Sequence, residues 1–172
     1  MANMGMVYVP NVNSYLSSVS DATYAYFAAY DSPAAITRLN KATFTVVDVL
    51  TLFSSMIYIQ AASIDLAAQT AYFGTYQAPG RVAVVDLTTF TNNNRSLTFS
   101  PGVGLIFTSS IQPATGGLPA TVYYGTGSSP GSVVRVDTTP TASPTRIPTV
   151  SPSQRPTRTP TPVSAWELHL RA

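Results

Sequence analysis

The sequence predicts an all-β chain of about three four-stranded antiparallel units followed by an extended arm, and three observations carry that prediction. The first is a phrase that returns three times: an aromatic pair, a few small residues, Pro with Gly or Ala, then alternating apolar residues. It reads Tyr26-Phe27 … Pro33-Ala34 … Ile36 … Leu39 … Phe44, then Tyr72-Phe73-Gly74-Thr75-Tyr76 … Pro79-Gly80 … Val82 … Val85-Asp86-Leu87 … Phe90, then Tyr123-Tyr124-Gly125-Thr126 … Pro130-Gly131 … Val133 … Val136-Asp137. The second is its spacing. Copies one and two lie 46 residues apart at Tyr26 to Tyr72, at Pro33 to Pro79 and at Phe44 to Phe90, and copy three follows at 51 (Tyr72 to Tyr123). A period of about 40–50 residues is one that propeller blades and similar arrays show. The third is the turn chemistry between period-2 apolar runs, which marks strands joined by tight turns.

The elements follow from copy two. Ala71–Tyr76 alternates and is aromatic-rich, so it is a strand. Gln77-Ala78-Pro79-Gly80 marks a turn in which Pro79 is expected to preset φ and Gly80, after it, to take positive φ. Arg81–Leu87 returns, Thr88–Arg95 is a polar loop, Ser96–Ser100 is a third strand, Pro101-Gly102 a turn, and Leu105–Ile111 a fourth strand. Copy one follows the same plan with Ala28 and Ala34 in place of the glycines. Copy three stops after two strands. Repeat boundaries are expected near 21–64, 65–111 and 120–137, with N-terminal strands within 6–19 (Met6–Val9 and Ser14–Val19). On this reading the chain opens on the end of a repeat and closes on the beginning of one. A threefold trefoil or prism, or a β-sandwich, is the alternative architecture.

Phe44 to Ile64 is apolar enough to raise a membrane helix. It holds Asp48, Gln60 and many β-branched residues, and its counterpart Arg95–Ile111 carries Pro101, Gly102 and Gly104. Both are therefore read as pairs of strands, and no membrane span is expected.

Only 9% of the residues are charged, where about a quarter is ordinary for soluble domains. Ser and Thr take the polar role, which points to glycosylation or to burial against further copies of the chain. A net charge of +2, with basic residues scattered singly, argues against nucleic acid. No cysteine is present, so disulfides, thiolate chemistry and most zinc sites are excluded. Met1-Ala2-Asn3-Met4-Gly5-Met6 shows neither the basic start nor the apolar core of a leader, so no signal peptide is visible. The extracellular or cell-surface location expected here rests on the low charge and on the Ser/Thr/Pro tract and N-glycosylation sequon further along the chain.

Residues 138–164 form a Ser/Thr/Pro tract, whose proline density favours an extended polyproline rod and whose hydroxyls suit O-glycosylation. The candidates are Thr141, Ser143, Thr145, Thr149, Ser151, Ser153, Thr157, Thr159 and Thr161. An SH3-type ligand or a phosphorylated tail is the other reading. Residues 165–172 then alternate strictly, with Trp166, Leu168 and Leu170 on one face and Glu167, His169 and Arg171 on the other. Such a strand at the end of a rod suits donation to a neighbouring subunit, and it equally suits completion of the chain's own third repeat. Asn94-Arg95-Ser96 is an N-glycosylation sequon on a polar loop, which makes Asn94 a candidate.

Catalytic constellations are not expected. His169 is the lone histidine and lacks a nucleophile signature around it. Asp21 and Asp65, and Asp86 and Asp137, recur at equivalent places, where a carboxylate more often closes a turn than does acid–base work. Gly125-Thr126-Gly127-Ser128-Ser129-Pro130-Gly131 lacks the Gly-Lys-Ser/Thr ending of a phosphate loop. No metal-ligand spacing and no cofactor motif is present, so the chain is read as a non-enzyme.

The phrase Tyr72-Phe73-Gly74-Thr75-Tyr76 … Pro79-Gly80-Arg81-Val82 … Val85-Asp86-Leu87 … Phe90, with its third copy, resembles the β-propeller-like repeats, broadly of the YVTN/NHL kind, of large secreted and surface proteins of protists and bacteria. That resemblance covers about residues 15–137, implies surface-exposed interaction or structural modules, and carries no catalytic residue across. The organisation as a whole is similar to glycan-coated extracellular fibril subunits. The expectation is a structural subunit of a secreted, glycosylated filament assembled through subunit-to-subunit strand contacts, with other copies of itself and covalent glycans as partners. The alternative is a stalked carbohydrate- or protein-binding module using repeated aromatics such as Tyr30 and Tyr76 at loop rims.

Overall fold

The computed structural model describes residues 5–138. They contain eleven strands and no helix: β1 (Tyr15–Ser20), β2 (Tyr24–Ala29), β3 (Ala35–Asn40), β4 (Thr45–Thr51), β5 (Ile59–Asp65), β6 (Thr70–Thr75), β7 (Arg81–Asp86), β8 (Ser96–Thr98), β9 (Ile106–Gln112), β10 (Thr121–Thr126) and β11 (Val133–Asp137). They form three antiparallel meanders ordered β1-β2-β3-β4, β5-β6-β7-β8 and β9-β10-β11. The first strands of the sheets neighbour one another, β1 beside β5 and β5 beside β9, so the sheets fan from a shared inner edge.

The sheets are phased earlier than the sequence copies. Leu105–Ile111 does form a strand, but as β9 it opens the third sheet instead of closing the second. Ser14–Val19 likewise opens the first sheet as β1, and Met6–Val9 forms no strand. The third sheet therefore has three strands where two were expected. Phe44–Ile64 is a pair of strands, β4 and β5, divided between two sheets. The cause lies in the connectors 52–58 and 99–105, which fold over the hairpin tip they follow. Ala34 N–H donates to the Met56 carbonyl (2.8 Å), and Gly80 N–H donates to the Val103 carbonyl (2.8 Å). Each connector ends on a residue at positive φ, Tyr58 (57°) and Leu105 (54°), which turns the chain into the next sheet. Asn11 (60°) lies 47 residues before Tyr58, as Tyr58 does before Leu105, so residues 5–11 stand where a connector would stand.

The hairpin turns also differ from expectation. Pro33, Pro79 and Pro130 each follow a cis peptide bond, and Gly80 does not adopt positive φ. Glycine is needed at position 80 for room: a Cβ there would lie 3.1 Å from the Phe99 ring and 3.3 Å from Ile106. At Gly74 a Cβ would come within 2.7 Å of Ile106 Cγ2, so this residue sets how closely the second and third sheets approach.

Two cores result, both between sheets. Tyr26, Ala28 and Ile36 of the first sheet meet Phe73, Val85 and Phe90 of the second, with Leu52 and Met56 of the connector packed in. Tyr72, Val82 and Val84 on the other face of the second sheet meet Ile106, Val122 and Tyr124 of the third. Period-2 alternation explains this: odd positions of β6 and β7 face one neighbour and even positions the other. All six residues of β6 are consequently buried. Each buried Val, Ile or Phe contributes about 1.5–3 kcal/mol. Among the described residues, the two end sheets each keep one face that no other sheet covers.

Candidate functional site

Three of the four repeated carboxylates are turn residues; the fourth, Asp137, pairs with Arg135 on its own strand and accepts from Thr121 of β10. Asp21 Oδ1 accepts from the N–H groups of Thr23 (2.7 Å) and Tyr24 (2.6 Å), and Asp65 Oδ1 accepts from those of Ala67 (3.0 Å) and Ala68 (3.1 Å). At the next turn Asn40 Oδ1 accepts from Ala42 and Thr43, and Asp86 Oδ1, 46 residues on, accepts from Thr88 (2.8 Å) and Thr89 (3.0 Å). These are side-chain-closed turns, the local use to which short Asp and Asn side chains are suited. Burial pushes the Asp21 carboxyl up, but the hydrogen bonds from Tyr24, the Tyr26 hydroxyl and Thr23, with the Lys41 charge, outweigh it and hold the group below the usual carboxylate range. The Thr89 N–H is the main cause that holds the Asp86 carboxyl low, against partial burial and with help from Thr88.

One polar group sits between the first two sheets. The Tyr26 hydroxyl donates to Asp21 Oδ2 (2.7 Å), and burial together with that carboxylate pushes the phenol well above its usual range. Nearby, Arg38 lies over Phe90 (4.5 Å) and Tyr24 (5.1 Å), and its guanidinium is 3.8 Å from Asp48. A cleft of about 470 Å³ opens there, bounded by Tyr24, Arg38, Leu66 and Gln69 among others. A high-pKa phenol beside a carboxylate held low is a poor general acid–base pair at neutral pH. The group's contacts with the second sheet are those of the Tyr26 ring and the Arg38 guanidinium with Phe90. Among the described residues, no cluster of three His, Cys, Asp or Glu could hold a metal.

Tyr30 and Tyr76 do not mark separate rims. They belong to one aromatic ladder across three sheets: Tyr30 stacks on Tyr58 (4.7 Å between ring centroids), Tyr30 and Tyr76 are 6.1 Å apart, and Tyr76 meets Phe107 edge-on (5.2 Å). The three tyrosines are half-buried and Phe107 is exposed. The 46-residue spacing of Tyr30 and Tyr76 was visible in the sequence, whereas the insertion of Tyr58 depends on its positive φ.

Asn94 is exposed at positive φ (58°) in the turn between β7 and β8. Its neighbour Asn92 is buried and holds that turn, its amide donating to the carbonyls of Val84 (2.9 Å) and Arg95 (2.8 Å). The O-glycosylation candidates from Thr141 to Thr161, His169, and the strand residues Trp166, Leu168 and Leu170 lie outside the described residues. No described helix is long and apolar enough to cross a membrane.

Repeated four-stranded antiparallel meanders, joined through adjacent first strands and not closed into a ring, decide the fold class. The chain is a partial β-propeller-like array. No family model matches it, and no curated protein matches it in sequence. Among solved structures it is similar to Kuenenia stuttgartiensis hydrazine synthase, with a TM-score of 0.56 and 12% identity over 80% of this chain and 36% of that one. The β-propeller domain of Myceliophteria thermophila Cps50 (Swd1) gives a TM-score of 0.43 and 12% identity over 70% of this chain and 40% of that one. The chain thus spans well under half the length of either. At such identity the first likeness concerns fold alone and brings no activity with it.

Proposed function

We propose that this protein is a structural subunit of a secreted, glycosylated filament, built on propeller-like repeats broadly of the YVTN/NHL kind. The observation that carries the reading is the shape of the third sheet. β3 and β7 each have an outer neighbour, β4 and β8, while β11 has none among the described residues. An unpaired edge is a template for a further strand. The alternating sequence at Trp166, Leu168 and Leu170, after the Pro/Thr-rich tract, has the pattern such a strand needs. Donated to the next subunit it makes a head-to-tail contact, and a contact of that kind that does not close generates fibres. The exposed position of Asn94 and the low charge of the surface support a glycan coat.

Electron microscopy of the full chain and of a chain ending at Thr138 tests this. The full chain is expected to form fibres and the shortened one to lose them. Fibres of unchanged abundance and shape from the shortened chain would sink the strand-donation reading.

The second reading, a binding module, now rests on the aromatic ladder as a single rim and not on three similar pockets. Half-exposed stacked rings suit a flat apolar ligand face such as that of a sugar ring.

A further inference from the structure

The two uncovered sheet faces carry the two halves of a contact that the molecule already makes internally. In the contact between the first and second sheets, Tyr26 and Arg38 are opposite one another on β2 and β3, and both rest on Phe90: the Tyr26 ring lies 6.0 Å from it and the Arg38 guanidinium 4.5 Å. On the uncovered face of the third sheet, Tyr123 and Arg135 are opposite one another in the same positions of β10 and β11. Val133 lies opposite Gly125 there, as Ile36 lies opposite Ala28. On the uncovered face of the first sheet Phe44 stands 46 residues before Phe90, with the same φ of 53°.

Exposure shows which halves lack their mates. Arg38 is 17% exposed in its side chain and Arg135 is 64% exposed; Phe90 is 4% exposed and Phe44 is 46%. Val133 is 73% exposed, whereas Ile36 is fully buried. An apolar cleft of about 170 Å³, walled by Phe27, Leu39, Phe44 and Val9, occupies the first sheet's face where Tyr26 and Ile36 fill the second's. The connector clamp repeats the pattern. Ala34 and Gly80 N–H groups donate to Met56 and Val103, but Gly131, at the third hairpin tip, has no such partner among the described residues. Val9, 47 residues before Met56, stands in the acceptor's place.

We infer that the uncovered face of the third sheet docks on the uncovered face of the first sheet of a second copy of this chain. Tyr123 and Arg135 of one copy cover Phe44 of the other, Val133 enters the apolar cleft, and Gly131 N–H meets the Val9 carbonyl. The occupant is a second copy because the contact continues the sheet-to-sheet interface already present, with the same residue types in the same register. Two copies joined this way at both ends supply six sheets, within the four to eight at which propellers close. The inference concerns sheet faces and stands whether or not the arm builds filaments.

Two full-chain variants test it, each altered at exposed positions and checked for native circular dichroism. Val133→Glu with Arg135→Glu spoils the third sheet's face. Phe44→Asp spoils the first sheet's face with a residue that tolerates left-handed backbone. Mass measured by light scattering across a dilution series, read below the concentration at which fibres form, is expected to give a dimer for the native chain and monomers for each variant alone. An equal mixture of the two variants is expected to give a one-to-one dimer, because one intact pair of faces remains; only a heterologous contact behaves this way. A native chain that is monomeric throughout, or variants that keep the native mass, would overturn the inference. Native dimers without fibres would leave it standing and sink the filament reading alone.

Discussion

β2 and β6 are spelled almost alike, Tyr26-Phe27-Ala28-Ala29 against Tyr72-Phe73-Gly74-Thr75, and both run second in a four-stranded meander. In β6 every residue is buried, while in β2 Phe27 is only half-buried and looks toward the connector-like segment 5–11. Local sequence made both of them strands. The number of sheets alongside decided how much each contributes, because in a stacked array the stability of a unit is its own plus that of its interfaces. The second sheet has two such interfaces and the first has one.

The sharpest way to break the comparison is to truncate the equivalent phenylalanines. Phe73→Ala removes a fully buried ring facing the first sheet and is expected to cost about 3–5 kcal/mol in urea unfolding. Phe27→Ala, at the half-buried counterpart, is expected to cost less than half of that. Equal losses would mean that the segment 5–11 covers the first sheet as well as a neighbouring sheet covers the second.

A smaller effect is expected at Asn92, which has no polar counterpart in the first sheet: 46 residues earlier stands Val46. Asn92→Ala leaves the Val84 carbonyl without this donor, while the Arg95 carbonyl keeps only the Val84 N–H (3.0 Å), which loosens the turn before the short strand β8. A loss of about 1–3 kcal/mol follows from stranding buried polar groups. Hydrogen exchange should show it as opening of β7–β8 with β1–β4 unchanged.

The smallest effect lies in the turns. Because the Asp21 and Asp86 carboxyls are held below the ordinary 3.8, their stabilising contribution is complete above about pH 5 and is lost as pH falls through the lowered folded values. Asp21→Asn and Asp86→Asn together are expected to flatten the acid limb of a melting-temperature profile while changing stability at pH 7 by about 1 kcal/mol. The two turns can be compared singly. Asp21, with the Tyr26 hydroxyl as an additional partner, is expected to show the larger share.

Much of this architecture was legible in the spacing. The 46-residue interval located the hairpins β2–β3 and β6–β7. Three of the four carboxylates recurring in register, Asp21, Asp65 and Asp86, close turns, whereas Asp137 pairs with Arg135 and Thr121 instead. The phase of the sheets was not legible. The landmarks all sit in the second and third strands of each meander and the turns beside them, while β1, β5 and β9 are Ser- and Ala-rich or bulged near their first residues and carry no signature. Whether such a strand finishes one sheet or starts the next is decided at the connector by positive φ at Tyr58 and Leu105. No composition rule assigns that conformation to an aromatic or a leucine. The aromatic ladder was hidden for the same reason, since Tyr58 reaches Tyr30 only once that turn is made.

The connector clamp has a consequence for the order in which the molecule is made. The amide of Ala34 is held by Met56 and that of Gly80 by Val103, so the first two hairpins are sealed by chain that already belongs to the passage toward the next sheet. A ribosome delivering this chain therefore finishes each of the first two units one step late. The array matures from its N-terminal side like a zip whose slider trails the newest teeth.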